Sequence, residues 1–66
     1  MLNASKLRDK MNEKNISVKE LSEKMLINSA TFYRKLKKNS FEISEADVIV
    51  RELNLSQEEA NSIFFA

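Results

Sequence analysis

At 66 residues with no cysteine and no histidine, the chain has no disulfide staple, thiolate zinc site or imidazole ligand. It also lacks glycine and proline, on which tight β-turns depend, so helices joined by Asn- and Ser-containing corners are favoured over sheets. The net charge of +1 hides an asymmetry: residues 1–41 carry ten Lys/Arg against four acids, and residues 42–66 carry six acids against Arg51.

A chain this short buries only about 60% of the surface its unfolded form exposes, so well-packed helices or oligomerisation must hold it together. No apolar run approaches the roughly 20 residues that span a bilayer. Nor is there a basic-then-apolar secretory start. The expectation is a soluble protein with no membrane partner, folded as one domain over 1–66.

The periodicity predicts five short helices. The first runs from about Asn3 to Lys14, with Leu7 and Met11 on one face, and stops at Asn15, which tolerates a left-handed corner. Ser17 and Glu20 form a capping box for the second, whose apolar positions are Val18, Leu21 and Met25. Leu26 and Ile27 make a corner, and Asn28 caps a third helix from Ser29 to about Lys37. Ser44 is expected to cap a fourth, Glu45–Leu53, with Val48, Ile49 and Leu53 inward and Asn54 at its end. Ser56 and Glu59 form a second capping box for a last helix bearing Ala60, Ile63 and Phe64.

The informative stretch is Ser17 to Leu36. Two helices this short cannot each bury a separate face, so they must pack crosswise through Leu21, Met25, Ile27, Phe32 and Leu36, with Ser22 small where the second helix would crowd the first. One helix is then braced while the next presents its outer face, as a helix-turn-helix requires. Ser29, Ala30 and Thr31 are small enough at the start of the third helix to let its backbone approach base edges. Hydroxyls there can bond to bases, and methyl groups can meet a thymine methyl. Tyr33 and Arg34 follow about one turn later, and an Arg can bond a guanine bidentately. Arg34, Lys35, Lys37 and Lys38 put four positive charges in five residues, and no acid falls between Lys24 and Phe41. Such a run is either a solvated helix end favoured by the dipole or a phosphate clamp; its place after a reading helix favours the clamp.

This stretch resembles the lambda-repressor/Cro-like (XRE-type) helix-turn-helix family, and Ser-Ala-Thr-Phe-Tyr-Arg-Lys-Leu at 29–36 is similar to its small phage-borne members. The similarity extends to the leading helix with Leu7 and Met11, the Ile16–Ser17 entry and the closing Leu53-Asn54-Leu55-Ser56-Gln57-Glu58-Glu59-Ala60 with Ile63-Phe64-Phe65. It implies an all-α, five-helix lambda-repressor-like domain with the helix-turn-helix at about 17–37. It implies base contacts from Ser29, Ala30, Thr31 and Tyr33, joined by Arg34 on its own chemistry. Phosphate contacts are expected from Val18, Lys19, Asn28, Lys35, Lys37 and Lys38. It further implies a Cro-type repressor, cytoplasmic and nucleoid-associated in a bacterial or phage-infected cell, with double-stranded DNA as partner.

Three positions depart from the family pattern. Val18 stands where Gln usually opens the second helix and cannot make that polar contact. Leu26 stands where Gly usually turns the corner, so it adopts a left-handed conformation or the turn bends differently. Lys35 replaces a late apolar residue of the third helix, whose packing role falls to Leu36.

Phe41, Ile43, Phe64 and Phe65 offer either further core packing or a homodimer contact, which a palindromic site would need. Glu58 and Glu59 are explained by capping and the helix dipole rather than as an acid/base pair. No nucleophile–base pair, metal cluster or phosphate-cradling glycine loop is legible, so no enzyme, cofactor, metal or small-molecule ligand is expected. The alternative is a protein–protein module on the same fold, an antirepressor or antitoxin-like partner binder. Val18 and the acidic, Phe-ended second half support it.

Overall fold

The computed structural model describes residues 2–65. Five helices follow one another: α1 (Ala4–Glu13), α2 (Val18–Lys24), α3 (Ser29–Lys38), α4 (Ile43–Glu52) and α5 (Gln57–Phe64). The all-α expectation holds. Among the described residues, no helix is long and apolar enough to cross a membrane.

Local sequence explains most helix starts. Asn3 caps α1, its side chain accepting from the Lys6 N–H at 3.0 Å. Ser17 with Glu20 and Ser56 with Glu59 form complete capping boxes on α2 and α5, as expected from their spacing. Asn28 caps α3 by accepting from the Thr31 N–H at 2.7 Å. Helix α4 departs from expectation: it begins at Ile43, with Glu42 at the cap position and Ser44 exposed inside the first turn. The reason is partly local and partly tertiary. The Glu45 carboxylate accepts from the Glu42 N–H at 2.9 Å and from Lys35 of α3, which winds the first turn two residues early.

The helix ends show how a chain without glycine closes four helices. Asn15, Leu26, Asn39 and Asn54 all take positive φ, between 50° and 61°. After each, the next amide reaches back to a carbonyl five residues earlier: Ile16 to Met11, Ile27 to Ser22, Ser40 to Lys35 and Leu55 to Val50, at 2.9–3.0 Å. Asn accepts this conformation readily. Leu does not, and the left-handed form costs an L-residue roughly 1–2 kcal/mol.

The core gathers Leu7, Met11, Leu21, Met25, Phe32, Leu36, Ile49, Leu53, Leu55 and Ile63, drawn from all five helices and the α4–α5 corner. Burial of each large apolar side chain contributes roughly 1.5–3 kcal/mol. Val18, Ile27 and Val48 pack half-buried on its edge. Ser22 is fully buried, and its hydroxyl donates to the Val18 carbonyl at 2.6 Å, so its polar atom is satisfied inside the core-facing side of α2. The amino-terminal strand of chain ties distant parts together: the Leu2 N–H donates to Asn39 at the end of α3, and the Asn3 N–H to the Ile63 carbonyl of α5.

Candidate nucleic-acid interface

Helix α3 is anchored on one side and bare on the other. Phe32 and Leu36 are buried, and Phe32 meets Phe41 with ring centroids 5.2 Å apart. At about 100° per residue, the face opposite Phe32 and Leu36 carries Ala30, Arg34, Lys37 and Lys38, and all four are exposed. Ser29 and Tyr33 form one flank of this face and Thr31 and Lys35 the other. Tyr33 is 48% exposed and stands edge-on to Phe32, at 6.4 Å and 90°. Ser29 and Thr31 are half-buried.

The residues expected to meet phosphate divide. Lys19, Arg34, Lys37 and Lys38 are exposed and in no ion pair among the described residues. Asn28 uses its side-chain oxygen to cap α3, leaving its amide nitrogen as the group that faces outward chemistry. Val18 packs half-buried against the core, so only its backbone N–H can serve a phosphate. Lys35 is engaged within the fold: its ammonium donates to both Glu45 oxygens, at 2.8 and 2.9 Å. A cation held this closely reaches a phosphate only by leaving a largely buried carboxylate unpaired. Burial pushes the Glu45 carboxyl up, but the Glu42 N–H and the Lys35 ammonium outweigh it and hold the group below its usual range.

The four apolar candidates on the opposite half also divide. Phe41 and Phe64 pack against the core, whereas Ile43 is 91% exposed and Phe65 77%. Together with Leu2 and Ala46 they line an open groove of about 340 Å³ between the end of α3, the start of α4 and the end of α5.

Sequence reasoning does not reach Arg8. This exposed residue of α1 lines a depression of about 180 Å³ with Asn12, the Ser17–Val18 entry of α2 and Tyr33. Its helical position places it on the flank of the Leu7–Met11 face; nothing local showed which neighbours on other helices it would meet.

Arranged this way, the surface can place backbone and small side chains at a groove floor, with cations alongside for phosphates. No curated protein and no solved structure matches the chain. The family model of the Cro/C1-type HTH DNA-binding domain matches residues 6–64, a span that takes in the bare face of α3 and the helices that brace it, and the chain belongs to that DNA-binding family.

Proposed function

We propose that the chain is a Cro-type transcriptional repressor of a phage or prophage, with α2 and α3 as its helix-turn-helix. Helix α3 enters the major groove. Ser29, Ala30, Thr31, Tyr33 and Arg34 meet base edges, while Lys19, Lys37, Lys38, Asn28 and the Val18 amide meet the backbone. One observation carries this reading: the exposed Ala30–Arg34–Lys37–Lys38 face contains no acid, while Phe32 and Leu36 lock the opposite face into the core. A second copy, seated over the groove edged by Ile43 and Phe65, would supply the two-fold symmetry of a palindromic operator.

Selection of bound sites from random duplex, followed by affinity measured against salt, tests the proposal. An enriched palindrome and a steep salt dependence are expected. Binding that ignores both sequence and salt overturns it. The exposed Ile43 and Phe65 favour one other reading, a partner-binding module on the same fold. That reading gains if duplex does not bind at all.

A further inference from the structure

The depression beside the reading helix shares Met11, Asn12, Ile16 and Ser17 with an adjoining hollow that Glu20 lines, and differs from it by Arg8, Val18 and Tyr33. Its walls come from three helices and a corner: Arg8, Met11 and Asn12 from α1, Ile16 from the corner after it, the Ser17–Val18 entry of α2, and Tyr33 from α3. No acidic residue lines it. Glu20, the nearest carboxylate in sequence to that entry, is turned onto Ser17, accepting from its N–H and its hydroxyl at 3.1 Å each. Arg8 has no ion-pair partner among the described residues, although Asp9 is its neighbour in sequence. By contrast Lys10, two residues on, is engaged by Glu13 and Glu59. An exposed guanidinium, a side-chain amide and a phenol thus converge on a hollow that borders the reading face through Tyr33.

We infer that this hollow holds a DNA backbone phosphate, with Arg8 as its principal contact, so that the footprint extends from α3 across the entry of α2 onto α1. A guanidinium presents paired N–H donors that match two phosphate oxygens, and the Asn12 amide adds a further donor. Tyr33 joins the hollow to the groove-facing surface, so a strand passing Ser29 and Tyr33 would lay its backbone against Arg8. The inference rests on the proposal that α3 reads the major groove, and it adds a contact that fixes register without reading sequence.

The test is the salt dependence of duplex affinity for five proteins: wild type, Arg8→Ala, Arg8→Lys, Lys6→Ala and Lys37→Ala. Lys6 lies on the same helix about 200° away from Arg8, so its loss makes the same charge change outside the hollow. Arg8→Ala is expected to reduce the slope of log affinity against log salt by about 0.9, and to weaken binding about eightfold at 0.1 M salt on operator and random duplex alike. Arg8→Lys is expected to keep the slope, and Lys6→Ala to match wild type. Circular dichroism of each variant checks that the substitutions at exposed Arg8 and Lys37 and half-buried Lys6 leave the fold intact. If Arg8→Ala keeps the wild-type slope while Lys37→Ala lowers it, the hollow takes no phosphate and the reading helix stands. If Arg8→Ala weakens the operator but not random duplex, Arg8 reads a base and the inference is overturned. A wild-type protein without salt-sensitive binding removes the reading helix and the hollow together.

Discussion

The Lys35 ammonium and the Glu45 carboxylate, ten residues apart, close a bidentate ion pair that joins the end of α3 to the start of α4. Their side chains are only 18% and 10% exposed. The pair engages Lys35 within the fold, leaving Arg34, Lys37 and Lys38 as the exposed cations of that run, and with the Glu42 N–H it anchors the Glu45 carboxylate at the start of α4.

Lys35→Ala should therefore behave as a fold mutation rather than a DNA mutation. It strands a largely buried carboxylate, and loss of a charge-assisted hydrogen bond of this kind costs about 1.5–3 kcal/mol. Thermal melting should show that loss, while the salt slope of DNA binding stays at the wild-type value. Lys37→Ala should do the reverse, with a melt close to wild type and a slope smaller by about 0.9. A smaller slope for Lys35→Ala would mean that the ion pair opens on DNA.

Leu26 holds φ 61° while 92% exposed, so its side chain contributes little packing to offset the backbone conformation. Leu26→Gly should stabilise the protein by up to about 1 kcal/mol, the left-handed cost of Leu less the added chain entropy of Gly. In a domain of this size that raises the melting temperature by roughly 4–8 °C. Leu26→Asn, matching the three other corners, should also melt above wild type. A lower melting temperature for both variants would assign Leu26 a packing role.

Acid should unlock the contact between α1 and α5. The hydrogen bond from Lys10 and the Ser56 N–H hold the Glu59 carboxyl at about 2, below its ordinary value of 4.5. The same contact raises the Lys10 ammonium. A depressed carboxylate contributes stability that is complete above its unfolded value and disappears as pH falls toward the folded one. Denaturant melts should thus show stability falling between about pH 4.5 and 2, with Glu59→Gln flattening part of that decline. An unchanged pH profile in that variant would place the acid sensitivity elsewhere, with Glu45 the next group to test.

Ile43→Ser and Phe65→Ser should leave the monomer's stability nearly unchanged, because both side chains stand in solvent. If a second copy covers this groove, the double variant should sediment as a monomer at concentrations where wild type is dimeric. It should also bind a palindromic operator with the affinity of a single half-site. Equal sedimentation of the two proteins would exclude the groove as the self-association surface.

What the sequence determined by itself is what forms within a few residues of chain. Ser17 with Glu20 and Ser56 with Glu59 were legible because a cap and its partner lie three positions apart. Asn15, Leu26 and Asn54 were legible as corners because a helix end needs a left-handed residue and no glycine was available. The buried and bare faces of α3 followed from Phe32 and Leu36 being four apart. The family resemblance, carried by the same local stretches, is matched over residues 6–64. Only the tertiary structure decided the pairings that cross between helices. It drew Lys35 to Glu45, adding a cross-helix anchor to the Glu42–Glu45 capping pair that starts α4 at Ile43 rather than after Ser44. It packed Phe41 and Phe64 while leaving Ile43 and Phe65 outside, a partition that four similar apolar residues do not announce. It also brought Arg8 to the hollow that Tyr33 lines. Caps and corners depend on hydrogen bonds within one turn, whereas the partner of an exposed cation depends on how whole helices cross.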